Sequence, residues 1–223
     1  MKTIKFLWLP ALLACLPLYS AHAADSRRAE RWETTFALIA SDSEDISGNR
    51  QSEVAIDNSV GFGFGAAYNL DAHVALGFEF SYLNPDYQAV YNTEQKGLVS
   101  VEHEMDIFNG NLNATWNVLE GPFTPYLRAN LGWTYIDSNI ANGPPVTGCW
   151  WDPWWGYICS NVYDSYDDNS FSWGFGAGLR YEFNNDWFIR ASVNRSVIDA
   201  SHGFDPVLDS FNLELGWMLW DGF

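Results

Sequence analysis

The chain has 223 residues, enough for one all-β domain of about 200 residues behind a removable leader. Its 28 acidic residues against 11 basic ones give a formal charge of −17, which removes the basic footprint that nucleic-acid binding requires. Past the N-terminal leader, no apolar run reaches the roughly 18 to 20 residues of a spanning helix. A membrane passage would therefore be a closed barrel, in which every backbone polar group is paired.

Lys2 and Lys5 precede an apolar run from Phe6 to Leu18, and Ala21-His22-Ala23 supplies the small residues of a cleavage site. Residues 1–23 read as a secretory signal and residues 24–223 as the mature domain. Leu12-Leu13-Ala14-Cys15 resembles a lipoprotein box, but apolar sequence continues past Cys15 to the better site. Arg27-Arg28 follows the apolar run, which excludes a twin-arginine signal.

Eight segments then alternate residue by residue, the pattern of strands with two chemically different faces. Trp32–Ala40 leads into a polar loop, Ser41–Asn58. Ser59–Tyr68 sets Val60, Phe62, Phe64, Ala66 and Tyr68 against three glycines. After a tight Asn69-Leu70-Asp71-Ala72 connection, Val74, Leu76, Phe78, Phe80 and Tyr82 oppose Ala75, Gly77, Glu79 and Ser81. A long loop over Asn84–His103 precedes Phe108, Leu112, Ala114, Trp116 and Val118, which oppose a row of Asn and Thr. Glu120-Gly121-Pro122 is a short turn. Leu127, Ala129, Leu131, Trp133 and Tyr135 then oppose Tyr126, Arg128, Asn130, Gly132 and Thr134.

A third long loop, Asp137–Asn169, holds Cys149 and Cys159. The strand from Phe171 to Phe183 has Gly174, Gly176, Gly178, Arg180 and Glu182 on its polar face. Asn184-Asn185-Asp186 turns it into Trp187, Ile189, Ala191 and Val193, opposite Arg190, Ser192 and Asn194. The last strand alternates Phe211, Leu213, Leu215, Trp217 and Leu219 with Asn212, Glu214, Gly216 and Met218, and the sequence ends at Phe223.

Long and short connections alternate along this series, as in transmembrane barrels. With both termini on the inner side, Trp32, Tyr68, Trp116, Tyr181, Trp187 and Phe223 fall near the lower strand ends. Tyr82, Trp133, Tyr135, Phe171, Trp173 and Phe211 fall near the upper ends. Two aromatic belts on the apolar face are the mark of a membrane-embedded barrel. A soluble ligand-binding barrel alternates too, but with its apolar face inward. The opposite parity carries Glu79, Arg128, Arg180, Glu182, Arg190 and Glu214, which implies a lumen network of mutually neutralising charges. A polar path for small solutes, opened by rearranged pairs, is the alternative.

Two cysteines in one loop of an exported chain, Cys149 and Cys159, point to a disulfide. Between them lie Trp150, Trp151, Trp154, Trp155 and Tyr157 around Asp152-Pro153, which favours a turn. This cluster reads either as a cap over the barrel or as a surface for an extracellular ligand or glycan. Gly61-Phe62-Gly63-Phe64-Gly65-Ala66 lies inside a strand, so it is no dinucleotide loop and no cofactor is expected. Asp164, Asp167, Asp168 and Asn169 offer oxygen ligands to calcium but lack the spacing of an EF-hand loop, and no catalytic or metal residue is assigned.

The alternating strands and the terminal Phe223 resemble the small eight-stranded outer-membrane barrel superfamily, which includes the OmpA transmembrane domain, OmpX, OmpW and opacity-type adhesins. The resemblance implies an antiparallel transmembrane β-barrel with long extracellular loops and short periplasmic turns, in a Gram-negative outer membrane. Outer-membrane lipid, lipopolysaccharide and the barrel-assembly machinery are then the implied partners, with Trp217, Leu219 and Phe223 as the assembly signal. That superfamily holds structural, adhesive, channel-forming and enzymatic members. One enzymatic class carries a His-x-Ser pair, whereas here Ala75, Met105 and Phe204 stand two residues beyond His73, His103 and His202. The expected role is structural or surface contact, with a narrow channel as the first alternative and a lipid A-modifying enzyme as the second.

Overall fold

The computed structural model describes residues 28–47, 53–93, 97–183, 186–199 and 205–219. The expected signal at 1–23, His202 and Phe223 lie outside the described residues. Fourteen strands follow in chain order: β1 (Trp32–Ser41), β2 (Glu44–Ser47), β3 (Glu53–Ile56), β4 (Ser59–Asn69), β5 (Val74–Leu83), β6 (Asp86–Thr93) and β7 (Gly97–Glu104). Then come β8 (Asp106–Asn117), β9 (Phe123–Ala141), β10 (Val146–Asp152), β11 (Gly156–Val162), β12 (Ser165–Glu182), β13 (Trp187–Asp199) and β14 (Val207–Met218).

Eight of these close an antiparallel barrel in the order β1-β14-β13-β12-β9-β8-β5-β4. Closure leaves no barrel strand with an open edge. The alternation read from sequence is the alternation of burial: in β14, Phe211, Leu213, Leu215 and Trp217 are exposed, while Asn212, Glu214, Gly216 and Met218 are buried. A soluble barrel would show the reverse.

Three segments expected as loops are strands. Ser41–Asn58 holds β2 and β3, and Asn84–His103 holds β6 and most of β7. These four make a separate sheet in the order β2-β3-β6-β7. In the third, β9 and β12 run well past the barrel wall and carry the β10–β11 hairpin. β2 and β3 have only 4 residues each, too few for a two-residue period to reveal them.

The outer sheet covers one mouth of the barrel. Ile56 and Met105 pack with Ala37, Ile39, Leu83 and Ile107, and Val54, Tyr87, Ile136 and Leu208 surround them. The uppermost layer of the lumen is thus apolar, above a polar layer in which Ser81, Asn109 and Thr134 are hydrogen-bonded to one another. This apolar cap is built without the tryptophan cluster, for which a cap over the barrel was one of the two readings.

The other mouth has short turns. In the Leu70–His73 turn, Asp71 Oδ1 accepts the backbone N–H groups of His73 (2.6 Å) and Val74 (2.7 Å). The same two bonds hold the exposed Asp71 carboxyl below its ordinary range. His73 Nδ1 lies 2.8 Å from the Asn117 carbonyl and Nε2 lies 3.2 Å from Glu120. Only the imidazolium can donate from both nitrogens, so the Asn117 contact first, and Glu120 after it, raise the histidine above its usual 6.5. The turn should be firmest below that ordinary value and loosen as pH rises through the raised one. Hydrogen-exchange protection of this turn, taken relative to the intrinsic base-catalysed rate, should fall across that window, and His73→Gln should abolish that fall. A protection factor that stays constant through the window in the native protein would contradict the assignment.

Candidate functional site

Two features stand apart from ordinary barrel packing, a charge chain in the lower lumen and a hairpin beyond the outer mouth. The charge chain alternates in sign through eight side chains. Glu79 Oε2 takes Arg128 Nη1 at 3.3 Å, and Arg128 reaches Glu214 with both amino groups, at 2.9 and 3.3 Å. Glu214 also takes Arg190 Nη2 at 2.6 Å. Arg190 Nη1 continues to Glu33 Oε1 at 2.9 Å, and Glu33 Oε2 takes Arg180 Nη1 at 2.8 Å. Arg180 Nε binds Glu182 at 3.0 Å, and Glu182 lies 3.2 Å from Arg28 Nε. Arg28 ends the chain on the carbonyls of Glu120 (3.0 Å) and Gly121 (2.6 Å).

The six charges read from sequence are all here. Glu33 and Arg28, both fully buried, were not among them. Glu33 has the inward parity of β1, but that parity also holds Ala37 and Ile39, and the outward one holds Thr34. With the two faces so alike, the first strand does not declare which way its glutamate points. Arg28 sits in a turn before the strand, where no period applies.

Aromatic rings fill the space between the guanidinium groups. Arg180 lies 3.8 Å and Arg190 5.1 Å from the Phe188 ring centre, and Arg128 and Arg190 lie 5.5 and 5.9 Å from that of Tyr126. Such contacts add to the ion pairs once the cation is removed from water. Beside the chain remains a gap of about 20 Å³, lined in part by Glu33, Glu79, Arg128 and Arg190. That is room for about one water molecule.

The hairpin is built on a long stem. β9 has 19 residues, about 60 Å of extended chain, roughly twice what crossing a bilayer takes. Above the stem, β10 and β11 pair in register from Val146↔Val162 to Asp152↔Gly156. Cys149 stands directly across from Cys159, and the two are bonded. Asp152 Oδ1 caps the turn by accepting the N–H groups of Trp154 (2.8 Å) and Trp155 (3.0 Å). Gly156 closes it at φ +77°, a conformation that side chains other than glycine's adopt only rarely.

This geometry turns the rings outward. Trp151 is 74% exposed, Trp154 85% and Trp155 78%, with Tyr157 facing Trp151 across the pair. Trp150 is less open and pairs with Ile158. Among the described residues no group of three or more histidines, cysteines or carboxylates gathers as a metal site. Asp168, at the base of the stem, accepts a hydrogen bond from Ser170 at 2.5 Å.

The barrel exterior completes the picture. Trp32 meets Tyr68 at 5.3 Å and Trp187 stacks on Trp217 at 5.6 Å at the short-turn end. At the other end Phe62, Tyr82, Phe108 and Tyr135 form a continuous run of ring contacts. Residues 11–218 match the family described as outer membrane protein beta-barrel domain. The chain belongs to the outer-membrane β-barrel family. Membership places it in a Gram-negative outer membrane, with the exposed rings as its two interfacial girdles.

Solved outer-membrane barrels share the fold. OprG from Pseudomonas aeruginosa is 13% identical with a TM-score of 0.54, covering 86% of this chain and 97% of that one. Neisserial surface protein A is 12% identical with a TM-score of 0.53, covering 84% and 96%. Ail from Yersinia pestis, in complex with the heparin analogue sucrose octasulfate, is 13% identical with a TM-score of 0.51, covering 86% and 99%. No curated protein matches the sequence. Trp217 and Leu219 of the expected assembly signal lie on the lipid-facing side of this outer-membrane barrel.

Proposed function

We propose that this outer-membrane barrel is a non-enzymatic surface-contact protein, with the tryptophan hairpin as its contact element. The exposure of Trp151, Trp154 and Trp155 on a disulfide-closed turn carries this reading. Large aromatics held open to water on an otherwise satisfied fold mark a binding surface, and a pinned hairpin loses little entropy on engagement. In this reading a leader at 1–23 is cleaved, assembly uses the C-terminal strand through Phe223, and the exterior is solvated by lipid and lipopolysaccharide.

The lumen favours contact over a solute path. The sign-alternating chain fills its lower part, and the apolar cluster beneath the outer sheet fills its upper part. Purified protein in planar bilayers should therefore give no stepwise conductance. Changing Trp151, Trp154 and Trp155 together to alanine should cut attachment of expressing cells to surfaces or to other cells by about tenfold or more. The boiled-versus-unboiled gel shift should stay, because the strands close through their own hydrogen bonds. Unchanged attachment would overturn the contact reading, and ohmic channel openings would restore the solute path.

A further inference from the structure

Exposed rings alone do not choose among a glycan, a bilayer and a peptide, since indoles stack on all three. The charge around the hairpin does choose. From Ala129 through Leu179 there is no Lys, Arg or His, while Asp137, Asp152, Asp164, Asp167 and Asp168 lie in the same stretch. Among the described residues the arginines are engaged elsewhere: Arg28, Arg128, Arg180 and Arg190 in the lumen chain, Arg31 at the short-turn end, 3.6 Å from Asp186, and Arg195 at the rim, 2.6 Å from Asp209; Arg50 and Lys96 lie outside the described residues. The lumen chain is neutral in itself, so most of the molecule's negative charge lies beyond the outer mouth.

An anionic headgroup or a sulfated glycan meets that field as repulsion. A neutral glycan gains nothing from it. Guanidinium and ammonium groups gain twice, over the ring faces and against the carboxylates.

Resting on the surface-contact reading, we infer that the hairpin docks an extended, arginine- or lysine-rich peptide segment. Its cations stack on Trp151, Trp154, Trp155 and Tyr157 and pair with Asp164 and Asp167 at the hairpin base. The backbone suits an extended occupant. Among the described residues β10 and β11 pair only with each other, so each keeps one edge of backbone groups open to a third strand. β10 has 7 residues, about 23 Å, so a peptide of roughly seven to nine residues reaches from the ring-bearing tip to the acids.

The test uses full-length protein folded into zwitterionic nanodiscs. Nona-arginine and maltoheptaose are titrated by calorimetry, and phosphatidylglycerol vesicles are tested by co-flotation. Nona-arginine should bind and weaken as salt rises, while the other two probes should not bind. The combined Trp151→Ala, Trp154→Ala and Trp155→Ala variant should lose about tenfold or more in affinity. Asp164→Asn with Asp167→Asn should weaken binding and flatten its salt dependence. The gel shift of every variant reports that the barrel is folded. Equal nona-arginine affinity with and without the three tryptophans would reduce the effect to bulk charge and overturn the docking site. Binding of maltoheptaose or vesicles through the tryptophans, without nona-arginine binding, would overturn the cationic partner and leave surface contact standing. Should no probe bind, the cationic partner falls, and the cell-attachment result decides whether surface contact falls with it.

Discussion

Exchanging Glu33 for glutamine should destabilise the folded barrel by about 3–5 kcal/mol, the range for removing one partner of a buried ion pair. Arg180 and Arg190 stand directly opposite each other on β12 and β13, two like charges in adjacent strands. Glu33 lies between them and accepts one guanidinium on each oxygen, with Asn69 Nδ2 on one of them at 3.2 Å. Glutamine keeps the shape and removes the charge that makes the arginine pair tolerable. Both guanidinium groups are almost wholly buried, so water cannot take over that role. Glu79 is the useful contrast. It ends the chain, is ion-paired only to Arg128 among the described residues and is 14% exposed at the side chain, so Glu79→Gln should cost clearly less. Urea unfolding of protein inserted in lipid vesicles measures both. A Glu33→Gln midpoint equal to that of the unaltered protein would mean that Glu33 is dispensable.

The split between what the sequence shows and what it hides follows from how barrels encode themselves. Where a strand sits between lipid and a polar lumen, each residue declares its face, and the parity of Glu79, Arg128, Arg180, Glu182, Arg190 and Glu214 is readable one residue at a time. Where the lumen turns apolar beneath the outer sheet, the contrast between faces fades. Ala37 and Ile39 point inward while Phe36 and Leu38 point outward, and Glu33 is lost in that ambiguity. The outer sheet is harder still, because β2 and β3 have 4 residues each, too few for a period. The hairpin was legible for a different reason: two cysteines flanking Asp-Pro define a closed turn regardless of periodicity. Its strands, and the exposure of its rings, depend on a stem built by β9 and β12 beyond the membrane.

The second large effect is expected at Gly216. It lies on the inward face of β14 between Glu214 and Met218, and a Cβ added there would collide with the outer edge of the Phe188 ring. Phe188 is fully buried and cannot yield freely, since Arg180 rests 3.8 Å and Arg190 5.1 Å from its centre. Moving the ring moves both arginines away from Glu33. Gly216→Ala should therefore cost about 3 kcal/mol, the upper part of the range for overpacking a filled interior. The mechanism predicts coupling as well as loss. Phe188→Leu alone removes two cation–ring contacts and should destabilise modestly. In the Gly216→Ala background the same change vacates the space the new methyl needs, so the double variant should be more stable than the sum of its parts implies. The same urea titrations yield the coupling term. Strictly additive costs would show that the methyl is accommodated by backbone displacement and that Phe188 is not the obstacle. A recovered midpoint in the double variant would instead tie the glycine, the ring and the two arginines into one packed unit, so that the fit of the lumen depends on a residue with no side chain at all.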